Sequence, residues 1–250
     1  MSEIWREVGG ERIVCPIGGH GFRLVESQES LATTEIVSTL ERQVILEEML
    51  DSDSKPPCPP GTQRLHYLLA TPFRYPPLPH ASRFGGRFEP SLFYAGSSVQ
   101  VTLCENAYYR FYFYHDMQAP PPKRQLRSQH TLFEFRYRTQ QGAKLHSPGF
   151  DRHQERLRDP ADYSATQALG SAMRNAGIKG FEYRSARDPA GAINIALFDA
   201  TPFSSSSVFN EKSCICQTTE REVLFSMERK ASRFPLDQFL VGGRLPTPAP

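Results

Sequence analysis

The sequence predicts a mixed α+β fold for this chain of 250 residues. Residues 131–138 alternate aromatic and β-branched side chains with charged ones at a period of two, which is typical of a strand. From Ala165 to Ala176, apolar residues recur at helical spacing until Gly177, which predicts a helix with one buried face. Helices and strands do not alternate along the chain, so a parallel βαβ sheet is disfavoured.

The first predicted element is a helix over residues 30–50, with Thr33 or Thr34 available as its N-cap. Its apolar face is formed by Ile36, Val37, Leu40 and Val44. Prolines at positions 56, 57, 59 and 60 end the helix and form a stiff link. We therefore predict an N-terminal extension with one helix over residues 1–65.

The remaining elements follow a second group of prolines at residues 120–122. Ser164 and Gln167 have the spacing of a capping box before the second helix. Short strands are predicted over residues 180–183 and 193–198, around a polar turn, and another strand over residues 222–225. We place the main domain at residues 66–203, a C-terminal extension packed on it at 204–245, and a proline-rich disordered tail at 246–250.

Composition excludes several broad classes of protein. A net charge of +2 without a Lys/Arg block disfavours nucleic acid as a direct partner. No apolar run is long enough for a membrane span or a secretion signal, and five scattered cysteines indicate reduced thiols, so we expect a cytoplasmic protein. The 23 arginines against 6 lysines fit phosphate binding and a GC-rich genome equally well.

Metal and common nucleotide motifs receive little support. Cys214 and Cys216 form a single pair without a second one, and His146 and His153 lie in a stretch typical of loops, so we expect no metal. The glycine clusters fit neither a dinucleotide fingerprint nor a P-loop. There is also no nucleophile elbow of the Gly-x-Ser-x-Gly kind.

An arginine-rich stretch stands out between Phe73 and Glu105. Arg74, Arg83 and Arg87 fall within fourteen residues and are separated by prolines and two glycines. Glycines let a backbone approach a ligand closely, and arginines supply charge-assisted donors to phosphate. The stretch is compatible with an anion site, although arginines on a solvated loop are the commoner explanation.

Five short segments occur in a fixed order between residues 66 and 203. The arginine elements are Arg74 in TPFRYPPL and Arg87 in SRFGGRFEP. Tyr94 follows in LFYAGSS, Glu105 in TLCENAYYRF and Ser185 in GIKGFEYRSARDPAGAINIALF. Each element alone is unspecific, but the five in this order resemble the RES domain, and the resemblance covers residues 66–203.

The resemblance implies a fold similar to that of ADP-ribosylating toxins, a split mixed β-sheet with flanking helices that holds NAD+ in a cleft. It places a helix over the aromatic run that follows Glu105. It also implies a toxin that cleaves the nicotinamide–ribose bond of NAD+ by phosphorolysis or hydrolysis, with NAD+ as substrate and no cofactor. The partners implied are inorganic phosphate and an Xre-type antitoxin, and a homo-oligomer stays open. The alternatives are a protein ADP-ribosyltransferase using the same cleft and a non-catalytic module that binds a nucleotide or a protein.

The resemblance also implies roles for single residues. Glu105 would stabilise the positive charge that develops on the ribose, while Arg74 and Arg87 would hold the pyrophosphate or an incoming phosphate. Tyr94 would pack on the nicotinamide or ribose, although a core aromatic fits equally, and Ser185 would bond a ribose hydroxyl or amide. We expect Arg74, Glu105 and Ser185 to be catalytic. Neighbouring side chains that could line the cleft without a catalytic role are Ser82, Arg83, Arg187 and Asn194.

Overall fold

The computed structural model describes residues 2–27, 59–75, 81–119 and 123–247, together with residue 121 and six positions between 39 and 57. Its α-helices are α1 (Glu3–Glu7), α2 (Tyr67–Arg74), α3 (Val99–His115), α4 (Gln154–Leu157) and α5 (Ser164–Asn175). Short 3-10 helices cover Gly10–Ile13, Pro148–His153 and Leu236–Phe239. The strands are β1 (Cys15–Glu26), β2 (Phe93–Gly96), β3 (Gln125–Lys144), β4 (Gly180–Arg184), β5 (Ile193–Leu197), β6 (Phe209–Thr219), β7 (Glu222–Met227) and β8 (Lys230–Pro235).

The strands form one mixed sheet whose pairing closes on itself. β1 pairs with β2 and β3, β2 with β5, β5 with β4, and β4 with β3. β6 pairs with β3 on the edge opposite β1, and β7 and β8 continue the sheet beyond β6. The β3–β4 pair is parallel, and the other pairings among these strands are antiparallel. The 20 residues of β3 give it the length to pair with three different strands.

Three apolar clusters hold the sheet and helices together. Phe93, Phe133 and Phe135 pack with β5 side chains inside the ring of strands. Helix α3 buries Tyr108 and Phe111 against β6, β7 and β8. Helix α5 packs tightly on the loop before β2: a Cβ built on Gly170 would lie 1.9 Å from the backbone oxygen of Phe84. These contacts fix α3 against the sheet and hold the loop before β2 against α5.

The α+β class and most of the predicted elements are confirmed. Residues 131–138 lie in β3, the two short strands are β4 and β5, residues 222–225 lie in β7, and the aromatic run after Glu105 is helical in α3. The helix that follows Tyr163 is α5, but its predicted capping box is wrong. The Ser164 amide donates to the Asp162 carboxylate at 2.8 Å, and the Gln167 side chain donates to the Ser82 carbonyl at 3.1 Å.

The predicted N-terminal helical extension is wrong for the described N-terminal residues. They contain β1, which pairs with β3 over most of its length and belongs to the main sheet. Glycines at positions 18, 19 and 21 weaken the strand signal, because they supply no side chain to an alternating pattern. The helix predicted over residues 30–50 lies almost entirely outside the described residues.

The C-terminal end packs against the core beyond residue 245, the point after which the sequence predicts disorder. Pro246, the first residue of the predicted disordered tail, is buried, and its carbonyl accepts a hydrogen bond of 2.6 Å from the Tyr108 hydroxyl. Residues 248–250 lie outside the described residues. Two further strands in this region, β6 and β8, have no counterpart in the predicted elements.

Candidate active site

A cavity of about 290 Å³ opens between β1, β2 and the first half of α3. Its wall combines one carboxylate, three guanidinium groups and several tyrosines. The charged and tyrosine side chains that line it are Glu105, Arg23, Arg83, Arg187, Tyr94, Tyr109, Tyr163 and Tyr183. An acid among cations and aromatic rings in one concave site indicates a ligand with both charged and flat parts.

The Glu105 carboxylate is held in a fixed orientation. Helix α3 begins after Ser98, whose hydroxyl caps the Val101 amide at 3.3 Å, so Glu105 lies in the second turn. Its Oε1 accepts hydrogen bonds from the Ser185 hydroxyl and the Asn194 side-chain amide, both at 2.6 Å. Within the described part of the chain, no hydrogen bond is made to Oε2. One carboxylate oxygen is therefore fixed, and the other is available to a ligand.

Ser185 is the centre of the contacts that position Glu105. Its buried hydroxyl oxygen accepts from the backbone amides of Arg187 and Asp188, at 3.0 and 2.9 Å. Because both acceptor directions are used by these amides, the hydroxyl hydrogen is left for Glu105. Asp188 closes the same loop by accepting from the Ala192 amide at 2.9 Å. The β4–β5 loop thus fixes the Ser185 hydroxyl, which in turn orients the Glu105 carboxylate.

Two buried arginines lie beside this carboxylate. The guanidinium of Arg187 lies 3.4 Å from the centre of the Tyr108 ring and donates to the Tyr163 hydroxyl at 2.9 Å. The guanidinium of Arg83 lies 4.2 Å from the Tyr163 ring and donates to the Asp159 carbonyl at 2.8 Å. Arg83 Nη2 is buried without a hydrogen-bond partner among the described residues. These cations are held by rings and neutral oxygens, so they give the cavity a positive potential.

Tyr94 connects the cavity to the loop before β2. Its hydroxyl accepts from the Phe84 amide at 3.0 Å and shares a hydrogen bond of 3.0 Å with the Ser82 hydroxyl. Burial raises the pKa of Tyr94 to about 12, so the hydroxyl stays protonated. Tyr94 therefore anchors residues 82–84 as well as lining the cavity.

The cavity brings together some of the predicted site residues and leaves out others. Glu105 and Tyr94 line it, and Ser185 bonds to Glu105. Arg74 and Arg87 do not line it. Arg74 ends α2 and its Nε donates to the Pro56 carbonyl, while Arg87 is exposed, with its guanidinium 5.7 Å from the Phe88 ring. Neither arginine is among the residues that line this cavity, and the roles expected for them stay predictions.

Sequence reasoning also missed several residues of the wall. Arg23 lies in the glycine-rich strand β1, whose sequence has no alternation or motif that would identify it. Tyr109 lies four residues after Glu105 in α3, so helical spacing places both on one face and could have identified it. Tyr163 and Tyr183 carry no local signal. Arg83 and Arg187, which the sequence marks as able to line the cleft without a catalytic role, do line the cavity, and Asn194 from the same group bonds to Glu105.

Two other features, a membrane-spanning helix and a metal centre, have no candidates among the described residues. None of the helices found there has the length and apolar character that a membrane span needs. No group of three or more metal-ligating side chains was found among the same residues.

The family model described as RES domain matches residues 59–214, which is more than half of the chain. This chain belongs to the RES domain family. Glu105, Ser185, Asn194 and both buried arginines lie inside the matched RES domain, whereas β1 and Arg23 precede it. The match contains the range over which the sequence resembles the family.

Among solved structures, the fold is similar to a chain in the crystal structure of the M. tuberculosis MbcT-MbcA toxin-antitoxin complex. The two share 11% identity over 87% of this chain and 92% of that one, with a TM-score of 0.47. A likeness of this strength supports no functional conclusion. No curated protein matches the sequence.

Proposed function

We propose that this RES domain cleaves the nicotinamide–ribose bond of NAD+, with water or inorganic phosphate as acceptor. The observation that carries the proposal is the orientation of Glu105. One of its oxygens is fixed by Ser185 and Asn194, and the other has no hydrogen bond among the described residues, at the wall of a cavity that contains cations and aromatic rings.

The reaction needs a carboxylate of this kind. When the bond between ribose C1′ and the nicotinamide nitrogen breaks, its electron pair neutralises the pyridinium ring, and positive charge develops on the ribose. A preoriented carboxylate stabilises that charge and lowers the barrier by a few kcal/mol. A new bond then forms between C1′ and an oxygen of water or phosphate; where water reacts, it loses a proton.

The rest of the cavity fits the other parts of the substrate. Tyr109, Tyr163 and Tyr183 offer aromatic surfaces to the nicotinamide ring. The buried, unpartnered Nη2 of Arg83 is a donor for a phosphate oxygen, so we assign to Arg83 the phosphate contact that the resemblance implied for Arg74 and Arg87. A volume of about 290 Å³ is near the lower end of the range for ligand sites, and it suits the nicotinamide riboside half of NAD+.

The biological role follows from the same proposal. An enzyme that destroys NAD+ would harm its host cell, so the protein would act as a toxin. Its family resemblance suggests that an Xre-type antitoxin keeps it inactive. The antitoxin would need to cover or distort the mouth of the cavity beside Glu105.

Product analysis tests the proposal. Purified protein is incubated with NAD+ in buffers with and without inorganic phosphate, and the products are separated by chromatography. Nicotinamide should appear together with ADP-ribose, or with ADP-ribose 1″-phosphate when phosphate is the acceptor. Label from NAD+ that accumulates on a protein would identify protein ADP-ribosylation instead. Absence of nicotinamide in both buffers would contradict the proposal.

A further inference from the structure

Helix α3 connects the cavity to the C-terminal segment, by which we mean residues 236–246. Glu105 and Tyr109 line the cavity. Cys104 and Tyr108, each one position earlier in the helix, are buried and bond to the C-terminal segment. Both pairs have the i, i+4 spacing that places two side chains on one side of a helix. The segment lies beyond residue 214, where the match to the RES domain ends.

Two routes of contact lead from the C-terminal segment to Arg187. The Tyr108 hydroxyl donates to the Pro246 carbonyl at 2.6 Å, and the Arg187 guanidinium lies 3.4 Å from the centre of the Tyr108 ring. The Gln238 side-chain amide donates to the Cys104 sulfur at 3.1 Å, and this thiol donates to the Arg187 carbonyl at 3.4 Å. Burial raises the pKa of both Tyr108 and Cys104 to about 12, so each keeps the hydrogen that it donates. Residues fixed by the C-terminal segment therefore hold Arg187 at its side chain and at its backbone.

The contacts continue from Arg187 to the other buried cation of the cavity. Arg187 Nη2 donates to the Tyr163 hydroxyl at 2.9 Å, and the Arg83 guanidinium lies 4.2 Å from the centre of the Tyr163 ring. Rings and guanidinium groups thus alternate from Tyr108 to Arg83. Because a cation–π contact is strong only over the ring face, the place of each cation depends on the ring beside it.

We propose that the C-terminal segment positions Arg187 and Arg83 for the substrate, with Tyr108 as the positioning residue that connects the segment to both. This inference rests on the proposed function, in which Arg83 contacts a phosphate of NAD+ and Arg187 adds positive potential beside it. Tyr108 does not line the cavity, so its effect reaches the substrate only through the cations. Displaced cations weaken the binding of substrate and transition state alike, so KM should rise while kcat changes little.

Three substitutions in the full-length chain test the inference. Tyr108→Phe keeps the ring and removes the hydroxyl that bonds to the C-terminal segment. Gln238→Leu removes the bond to Cys104. Tyr114→Phe is the matched control, because the Tyr114 hydroxyl also donates from α3 to a backbone carbonyl, that of Arg124 at 3.1 Å, and Tyr114 does not line the cavity.

The kinetic constants for NAD+ cleavage distinguish positioning from a general loss of stability. The double variant Tyr108→Phe/Gln238→Leu should raise KM by about three- to tenfold, as expected for a displaced cation–π pair, with kcat within about twofold of wild type. Tyr114→Phe should lower the urea midpoint but leave KM unchanged. In an Arg187→Met background the double variant should raise KM no further, because the cation that it displaces is already absent.

The outcomes separate this inference from the proposed function. An unchanged KM in the double variant, an equal rise in Tyr114→Phe, or an equal rise in the Arg187→Met background would overturn the positioning role while leaving NAD+ cleavage in place. If wild type releases no nicotinamide, the proposed function fails, and NMR of the arginine side chains decides the inference by itself. The double variant should then shift the Nε–Hε resonances of Arg187 and Arg83 but not that of Arg23, which lies over the Phe93 ring. Resonances of Arg187 and Arg83 that stay in place would overturn the inference.

Discussion

Replacement of Ser185 by alanine should uncouple Glu105 from the loop that orients it. The Ser185 hydroxyl donates to Glu105 Oε1 at 2.6 Å and accepts from two backbone amides, at 3.0 and 2.9 Å. Ser185→Ala removes all three hydrogen bonds at once. Asn194 still donates to the same carboxylate oxygen at 2.6 Å, so the carboxylate stays in the site with greater freedom of rotation.

The size of the effect follows from these contacts. A hydrogen bond to a charged group contributes about 1.5–3 kcal/mol, and a loss of 1.36 kcal/mol in transition-state stabilisation is about tenfold in rate. We therefore expect kcat for NAD+ cleavage to fall by about 10- to 100-fold. The amides of Arg187, which is buried, and Asp188, which is partly buried, lose their acceptor as well, so the free energy of unfolding should fall by about 2–4 kcal/mol.

A double-mutant cycle with Glu105→Gln distinguishes positioning from a general loss of structure. Nicotinamide release gives kcat and KM, and urea unfolding gives stability. In the Glu105→Gln background, Ser185→Ala should lower kcat little further, because the charge that Ser185 orients is already absent. Wild-type kcat in Ser185→Ala, or an equal loss in both backgrounds, would refute this reasoning.

Three other predictions concern the scaffold. Gly170→Ala should lower the free energy of unfolding by about 1–3 kcal/mol in spite of alanine's better helix propensity, because the new Cβ would lie 1.9 Å from the Phe84 oxygen; urea unfolding at wild-type stability would contradict this. Tyr94→Phe leaves the Phe84 amide without its acceptor and should cost about 1–3 kcal/mol in the same assay, with an unchanged midpoint as the contrary result. Burial lowers the pKa of His130 to about 4 in the folded protein, whereas the unfolded chain has the ordinary histidine pKa of about 6.5. As the pH falls below about 6.5, the imidazole is protonated in the unfolded chain but not in the fold. The free energy of unfolding should therefore fall by roughly 3 kcal/mol between pH 6.5 and pH 4. His130→Gln should flatten that part of the stability profile, and an equally steep profile would show that other groups cause it.

Elements with strong periodicity could be predicted from the sequence. The alternation over residues 131–138 locates β3, and the spacing of apolar residues after Ser164 locates α5. Strand β1 could not be predicted in this way, because its glycines interrupt the alternation and its partner β3 lies more than a hundred residues later. Long-range pairing of this kind is a tertiary effect that local patterns do not report.

The residues of the candidate site also differ in how far the sequence could predict them. Motif order was sufficient to select Glu105, Tyr94 and Ser185, which the structure brings to one cavity or to its wall. Arg74 and Arg87 do not line this cavity, and motif order gives the place of a residue in the chain without the direction of its side chain. The cations that do line the cavity depend on how β1 and the loops around α5 pack.

The most direct test of the account is nicotinamide release by Glu105→Gln. The glutamine oxygen can accept the same bonds from Ser185 and Asn194, so the variant removes the charge while it preserves the shape. We predict that wild type releases nicotinamide from NAD+ and that the variant loses about 100-fold or more in kcat, with its affinity for ADP-ribose within a few-fold of wild type. A variant that retains more than about a tenth of wild-type kcat would contradict a charge-based role for Glu105.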